Sequence, residues 1–214
     1  MDLKEEKIII VGCGPGAEEY LLPIGLQFIR QADVLAGTPH LLGTFAPAGK
    51  TQIRMGRDTT ALLDAMTPHV GREKVVVLVT GDPGLCSLAV QVIERFGRDR
   101  CSVIPGISSV QTAFARVALD WRDACIVRAH SGTPTETLDA LASQKKIAVL
   151  AGGEVSRDWL CSLADVLNAR CEVVVCSNLT LPEERVEFIA PAAMRTVSLP
   201  SRSVVLFIEK GCLI

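Results

Sequence analysis

Aromatic residues make up only 4% of this 214-residue chain, and histidine occurs just three times. With few rings available the core must be aliphatic, and the 49% hydrophobic content supplies it. Such a composition suits Val/Ile/Leu strands covered by Ala/Leu helices. None of the eight cysteines forms a C-x-x-C pair, and the closest two, Cys171 and Cys176, flank a strand-like run. Disulfide-type and zinc-type spacings are therefore missing, which points to free thiols in a reducing compartment and to no metal site. An excess of positive charge is also lacking, since the formal net charge is −2. That argues against the clustered basic footprint expected of a nucleic-acid or anionic-membrane binder, while leaving room for local basic patches that hold a small anionic ligand. No apolar run approaches ~20 residues, so no membrane span is expected. The charged start Met1-Asp2-Leu3-Lys4-Glu5-Glu6-Lys7 fits no signal peptide, and a cytoplasmic protein is expected.

What the chain does have is a trio of Gly-Pro turns, each at the end of an apolar run. Ile8–Val11 leads into Gly12-Cys13-Gly14-Pro15-Gly16. Val75–Val79 leads into Thr80-Gly81-Asp82-Pro83-Gly84, and Cys101–Ile104 leads into Pro105-Gly106-Ile107-Ser108-Ser109. Continuous β-branched runs read as strands buried on both faces, as in parallel sheets. Open α/β sheets bind ligands beyond the carboxyl ends of such strands. Three special turns at three such ends imply one small-molecule site, narrow, glycine-lined and poor in cations. It suits a neutral or zwitterionic ligand held by backbone groups, with Asp82 and the serines as polar contacts.

The order of elements is that of an α/β protein. Helices are expected over 23–32, 60–69, 85–96 and 108–118, with strands between them. Pro23 stands in a first turn, where its missing N–H is harmless, and Gly97 closes the third helix. Further strands are expected at 124–129, 147–151 and 171–176, with helices at 136–141 and 157–169. Val186–Ile189 and Val204–Glu209 read as two closing antiparallel strands. Two domains follow, 1–117 carrying the signature turns and 118–214 completing an active-site cleft between them.

Gly12, Gly14 and Ala17 also match the dinucleotide fingerprint, with Asp33 downstream, which would make the protein an NAD-binding oxidoreductase. Three details oppose that reading. Pro15 removes an amide from the turn. Glu18 and Glu19 would face the phosphates. The helix begins at Pro23, too late to aim its positive end at a pyrophosphate.

The same residues, Gly12–Gly16, Ala32-Asp33-Val34 with Gly37, Gly81-Asp82-Pro83 and Pro105–Ser109, resemble the tetrapyrrole methylase family over nearly the whole chain. Within it, Pro105–Arg116, Trp121, Ala129-His130-Ser131-Gly132 and Asn178–Arg185 look most like the branch that methylates C5 of a corrin precursor, at the precorrin-7 or cobalt-precorrin-7 stage. The resemblance implies an S-adenosylmethionine-dependent homodimer, with a separate enzyme of the same pathway for C15 methylation and decarboxylation. It also implies cofactor contacts at Pro15, Thr80, Gly81, Asp82, Leu85, Ser108 and Ser109. Ala151, where many relatives carry Met, would contribute through its backbone, and Leu179 would meet the adenosine. A substrate rich in carboxylates calls for arginine forks. Arg54, Arg116 and Arg185 are the leading candidates, with Arg57 and Arg128 behind them and His40 as a further substrate contact. His130, in a turn after a strand, is the candidate to orient substrate or accept the ring proton, whereas His69 reads as structural.

Overall fold

The computed structural model describes residues 7–130 and 132–212. The charged start at 1–6 and Ser131 of the turn after His130 lie outside the described residues. The chain forms two compact units, Met1–Ser108 and Ser109–Ile214.

The first unit contains β1 (Ile8–Gly12), α1 (Pro23–Gln31), β2 (Val34–Gly37), α2 (Pro39–Phe45), β3 (Thr51–Arg54), α3 (Thr59–Met66), β4 (Val75–Val79), α4 (Ala89–Phe96) and β5 (Cys101–Ile104). The strands form one sheet in the order β3-β2-β4-β1-β5, and every pairing in it is parallel. Ile8, Ile10, Val77 and Val79 face Leu62, Met66 and Val92 of α3 and α4. Ile9, Val11, Val76 and Leu78 face Ile29, Leu41, Leu42 and Phe45 of α1 and α2. Both sheet faces are thus covered, which is why β1 and β4 read as unbroken apolar runs rather than alternating ones.

Two first-unit elements, α2 and β3, are absent from the sequence-based reading. β3 is an edge strand with largely exposed residues, and such a strand leaves little apolar pattern to detect. The helix expected from Leu85 begins instead at Ala89. Cys86 takes φ 49°, and the Ser87 hydroxyl accepts from the Ala89 amide at 3.1 Å, so the segment before Ala89 is a turn.

The second unit contains α5 (Ser109–Arg116), β6 (Cys125–Arg128), α6 (Leu138–Ala142), β7 (Lys146–Ala151), α7 (Arg157–Leu167), β8 (Cys171–Ser177), β9 (Arg185–Ile189) and β10 (Ser203–Glu209). Its sheet runs β6-β7-β10-β8-β9, with β6–β7 parallel and the other pairs antiparallel. The two closing strands are antiparallel, though not to each other: each pairs with β8, which lies between them. Val149, Val173, Val175, Val205 and Phe207 form a core with Leu160, Leu163 and Leu167 of α7. α5 packs against β10 with Phe114 fully buried. This places α5 in the second unit, so the division falls at Ser108, ahead of the boundary at 117 read from sequence.

Lys146 is nearly buried, with 7% side-chain exposure. Its ammonium donates to the Asp120 carbonyl at 3.1 Å, Asp120 Oδ2 at 3.0 Å and Asp123 Oδ1 at 2.7 Å. The turn carrying Trp121 is thereby pinned to the start of β7. Among the described residues, no helix is long and apolar enough to cross a membrane. All eight cysteines are free thiols.

Candidate functional site

Parallel strands end on one edge, so the five loops after β1 to β5 share it. The chain leaves β1 for α1 on one face of the sheet and leaves β4 for α4 on the other. These two strands are neighbours, so their carboxyl ends define the topological switch point, where open α/β sheets bind ligands.

The glycine turns meet at that point. Gly14 and Gly81 form an antiparallel bridge, with the Gly81 amide donating to the Gly14 carbonyl at 2.7 Å and the Cys13 amide to the Val79 carbonyl at 2.8 Å. Gly14 and Gly81 have φ 78° and 69°, which favours glycine at both positions. A Cβ on Gly12 would lie 2.7 Å from each of Gly106 N, Gly81 O and Pro83 Cδ. No side chain fits there, so the three turns approach at backbone distance. Asp82 completes the joint: Oδ1 accepts the Gly84 amide at 2.7 Å and Oδ2 accepts the Gly106 amide at 3.0 Å.

The other first-unit residues singled out from sequence follow the strand order. Pro15 is buried after β1, Thr80 is exposed after β4, and Leu85 is half-buried in the following turn. Ser108 is 5% exposed at the end of the β5 turn. On the β2–β3 side, His40 is exposed in the first turn of α2, whose N-cap Thr38 accepts from the Leu41 amide at 3.3 Å. Arg54, also exposed, ends β3 opposite Gly37. A short 3-10 turn, Glu18–Tyr20, separates the β1 turn from α1, and α1 starts only at Pro23. The positive end of that helix is thus removed from the glycines, as the sequence-based case against a dinucleotide requires.

In the second unit His130 follows β6. The Ala129 amide donates to the Leu150 carbonyl at 3.0 Å, and a Cβ on Gly152 would lie 2.6 Å from His130 Cα. The turn after β6 is therefore held against the end of β7, where Ala151 is buried. Partial burial, and then the nearby Arg128 charge, push the His130 imidazole below the usual histidine range; a backbone hydrogen bond at Leu150 acts the other way. Ser109 opens α5. Leu179 is buried between Asn178 and Thr180, which take φ 50° and 70°. Arg185 is exposed at the start of β9.

Arg116 is engaged within the protein. Its guanidinium forks onto Glu184, Nε to Oε1 at 2.5 Å and Nη2 to Oε2 at 3.0 Å. Glu184 escapes sequence reasoning because its partner lies 68 residues away. The only local signal is an asparagine where a left-handed turn occurs. Among the described residues, no cluster of three or more His, Cys, Asp or Glu is placed to hold a metal ion.

A parallel sheet with glycine turns stitched at its switch point, followed by a mostly antiparallel second sheet, defines a class of protein. The model of the tetrapyrrole (corrin/porphyrin) methylases matches residues 7–192, and the chain belongs to that family. The cobalt-precorrin-7 C(5)-methyltransferase of Salmonella typhimurium is 29% identical over 192 residues, 87% of this chain and 92% of that one. A probable cobalt-precorrin-7 C(5)-methyltransferase of Methanocaldococcus jannaschii is 25% identical, covering 84% and 87%. Among solved structures, precorrin-6Y methylase from Archaeoglobus fulgidus superposes with a TM-score of 0.71 at 23% identity, covering 95% and 98%. A uroporphyrin-III C-methyl transferase from Thermus thermophilus, complexed with S-adenosyl homocysteine, gives 0.76 at 18% identity, covering 97% of each chain. Both likenesses establish the two-domain α/β fold.

Proposed function

We propose that this chain is an S-adenosylmethionine-dependent C-methyltransferase that adds a methyl to C5 of precorrin-7 or cobalt-precorrin-7 in cobalamin biosynthesis. The observation that carries the reading is the near full-length match to the Salmonella typhimurium C5 enzyme, on a chain whose glycine turns meet at the switch point. Thr80, Gly81, Asp82, Leu85, Pro15, Ser108 and Ser109 are the proposed cofactor residues, with Ala151 and Leu179 from the second unit. Their chemistry suits the cofactor: the stretches 12–16, 80–85 and 105–109 contain no Lys or Arg, so no cation there opposes a sulfonium. When bound, the cofactor supplies an electrophilic methyl whose leaving group is a neutral thioether.

The protein's contribution is alignment and exclusion of water rather than strong acid–base chemistry. The backbone-stitched turns give a rigid floor for that alignment, because the bridge and the Asp82 bonds leave them little freedom. His40, Arg54 and Arg185 are the proposed contacts to substrate carboxylates. Methylating a ring carbon ends with loss of a proton, and His130 is the proposed acceptor at a ring nitrogen. The same reading takes the protein to be a cytoplasmic homodimer, working with a separate enzyme for C15 methylation and decarboxylation.

The test is turnover of precorrin-7 and cobalt-precorrin-7 with labelled S-adenosylmethionine, with titration of S-adenosylmethionine and NAD in parallel. One labelled methyl at C5, and binding of S-adenosylmethionine but not NAD, is expected. Transfer only to a different corrin intermediate would move the site of methylation. Binding of NAD alone would overturn the methylase reading.

A pH profile examines His130. Only the neutral imidazole can take a proton, and His130 is held below the ordinary histidine range, so kcat/KM should stay level through neutrality and fall only at pH below that range. In the His130→Gln variant that acid limb should disappear and the plateau should fall. An unchanged limb in the variant assigns the proton to another group.

A further inference from the structure

The loop from Asn178 to Glu184 joins β8 to β9 and holds two non-glycine residues in left-handed conformation, Asn178 and Thr180. Such residues persist only where the surroundings over-determine them. Short backbone bonds hold part of the loop: Asn178 N to Arg202 O at 2.9 Å, Leu181 N to Asn178 O at 3.0 Å and Glu184 N to Leu181 O at 2.9 Å. A side chain adds a further anchor. Glu184 Oε2 accepts the Thr180 amide at 2.5 Å, and the carboxylate also receives the Arg116 fork. Glu184 is 22% exposed and Arg116 32%, so water screens this pair less than a surface one. Its donors, Arg116 first, hold the Glu184 carboxyl below the ordinary range. The carboxylate therefore ties the end of α5 to the Thr180 amide within the left-handed turn. Leu179, 4% exposed, sits between the two left-handed residues.

We propose that Arg116 and Glu184 form a positioning pair for the cofactor, fixing the Asn178–Glu184 loop so that Leu179 presents to the adenosine, and that Arg116 is not a partner of the substrate carboxylates. The inference rests on the methylase reading and on Leu179 as a cofactor contact. A planar fork grips a carboxylate at two points and sets its orientation, which a lysine cannot reproduce. The fixed carboxylate then sets the Thr180 amide, and that amide sets Leu179.

The experiment measures S-adenosylmethionine and S-adenosylhomocysteine affinity by calorimetry, and the KM for each substrate with kcat, in the full chain and in Arg116→Lys and Glu184→Gln. Both variants are expected to weaken cofactor affinity by about tenfold, the size of one charge-assisted hydrogen bond. The KM for the corrin substrate should stay near the parent value. The double variant should lose little more than either single one, since both remove the same fork. A rise in corrin KM with unchanged cofactor affinity would overturn the proposal and return Arg116 to the substrate. Unchanged values throughout would also overturn it, reducing the pair to a surface ion pair. If Glu184→Gln fails to fold, Arg116→Lys, which keeps the charge, still decides the matter. A parent chain that binds no S-adenosylmethionine would sink the methylase reading itself, a result separable from either variant's behaviour.

Discussion

Gly106→Ala is expected to cost about 3–5 kcal/mol of stability, combining overpacking with a lost charge-assisted hydrogen bond. A Cβ at that position would lie 2.3 Å from Gly81 O and 2.8 Å from both C and Cα of Gly12. All three neighbours are backbone, so no rotamer change relieves the clash. Relief requires either β5 to splay from β1 or the bridge between Gly14 and Gly81 to open. The first choice breaks the parallel ladder that holds the edge strand β5 to β1, and the second disconnects the switch-point turns. Either movement also carries the Gly106 amide away from Asp82 Oδ2, now 3.0 Å distant. Typical domains hold about 5–15 kcal/mol in total. The variant should therefore unfold more than roughly 10 °C below the parent or accumulate as insoluble protein. Gly43→Ala is the matched control: Gly43 is an exposed position of α2, and nothing would stand within 4 Å of its Cβ. That change should leave stability equal or raise it by about 0.5–1 kcal/mol. Equal melting temperatures for Gly106→Ala and the parent would refute the backbone-contact account of these turns.

These turns are legible in the sequence because glycine is a geometric constraint written directly in it. Gly12, Gly14, Gly81 and Gly106 stand where the chain approaches itself at backbone distance, and each follows an apolar run long enough to read as a buried strand. The α/β class followed from the same runs. α2 and β3 were not legible, because an exposed edge strand such as Thr51–Arg54 has no continuous apolar pattern. The pairing of β9 and β10 through β8 was hidden for a different reason. Their β-branched and apolar residues mark them as strands but carry no information on which neighbour completes the ladder. In the candidate site, residue types could be named while their partners could not. Asp82 was recognised as an acid inside a glycine turn, yet only the fold shows both of its oxygens bound to amides. Arg116 reads from sequence as a candidate cation, yet its carboxylate stands 68 residues further along the chain. Long-range electrostatic pairing depends on topology, and topology is the part of a sequence that local chemistry leaves open.

Asp82→Ala is the second variant of large effect, and it separates two roles for this residue. The carboxylate accepts amides from its own turn, Gly84 at 2.7 Å, and from the β5 turn, Gly106 at 3.0 Å. Hydrogen bonds to a charged acceptor contribute about 1.5–3 kcal/mol each. Alanine removes both, so the variant should lose about 3 kcal/mol or more with no ligand present. Asparagine keeps one acceptor oxygen but turns an NH2 toward the second amide, where two donors meet. Asp82→Asn should therefore fall between the parent and alanine in melting temperature. A residue that only contacted cofactor would behave differently: the ligand-free variants would melt with the parent, and only the stabilisation by S-adenosylmethionine would shrink. That stabilisation is about 2.7 kcal/mol for ligand at a hundred times its dissociation constant. Melting curves with and without cofactor thus report both roles at once. A fall in the ligand-free melting temperature in the order parent, asparagine, alanine is the expected result, with cofactor affinity falling in the same order because the turns that meet it have lost their tie. Ligand-free curves that coincide would refute the tie between the β4 and β5 turns and leave Asp82 acting on the cofactor alone.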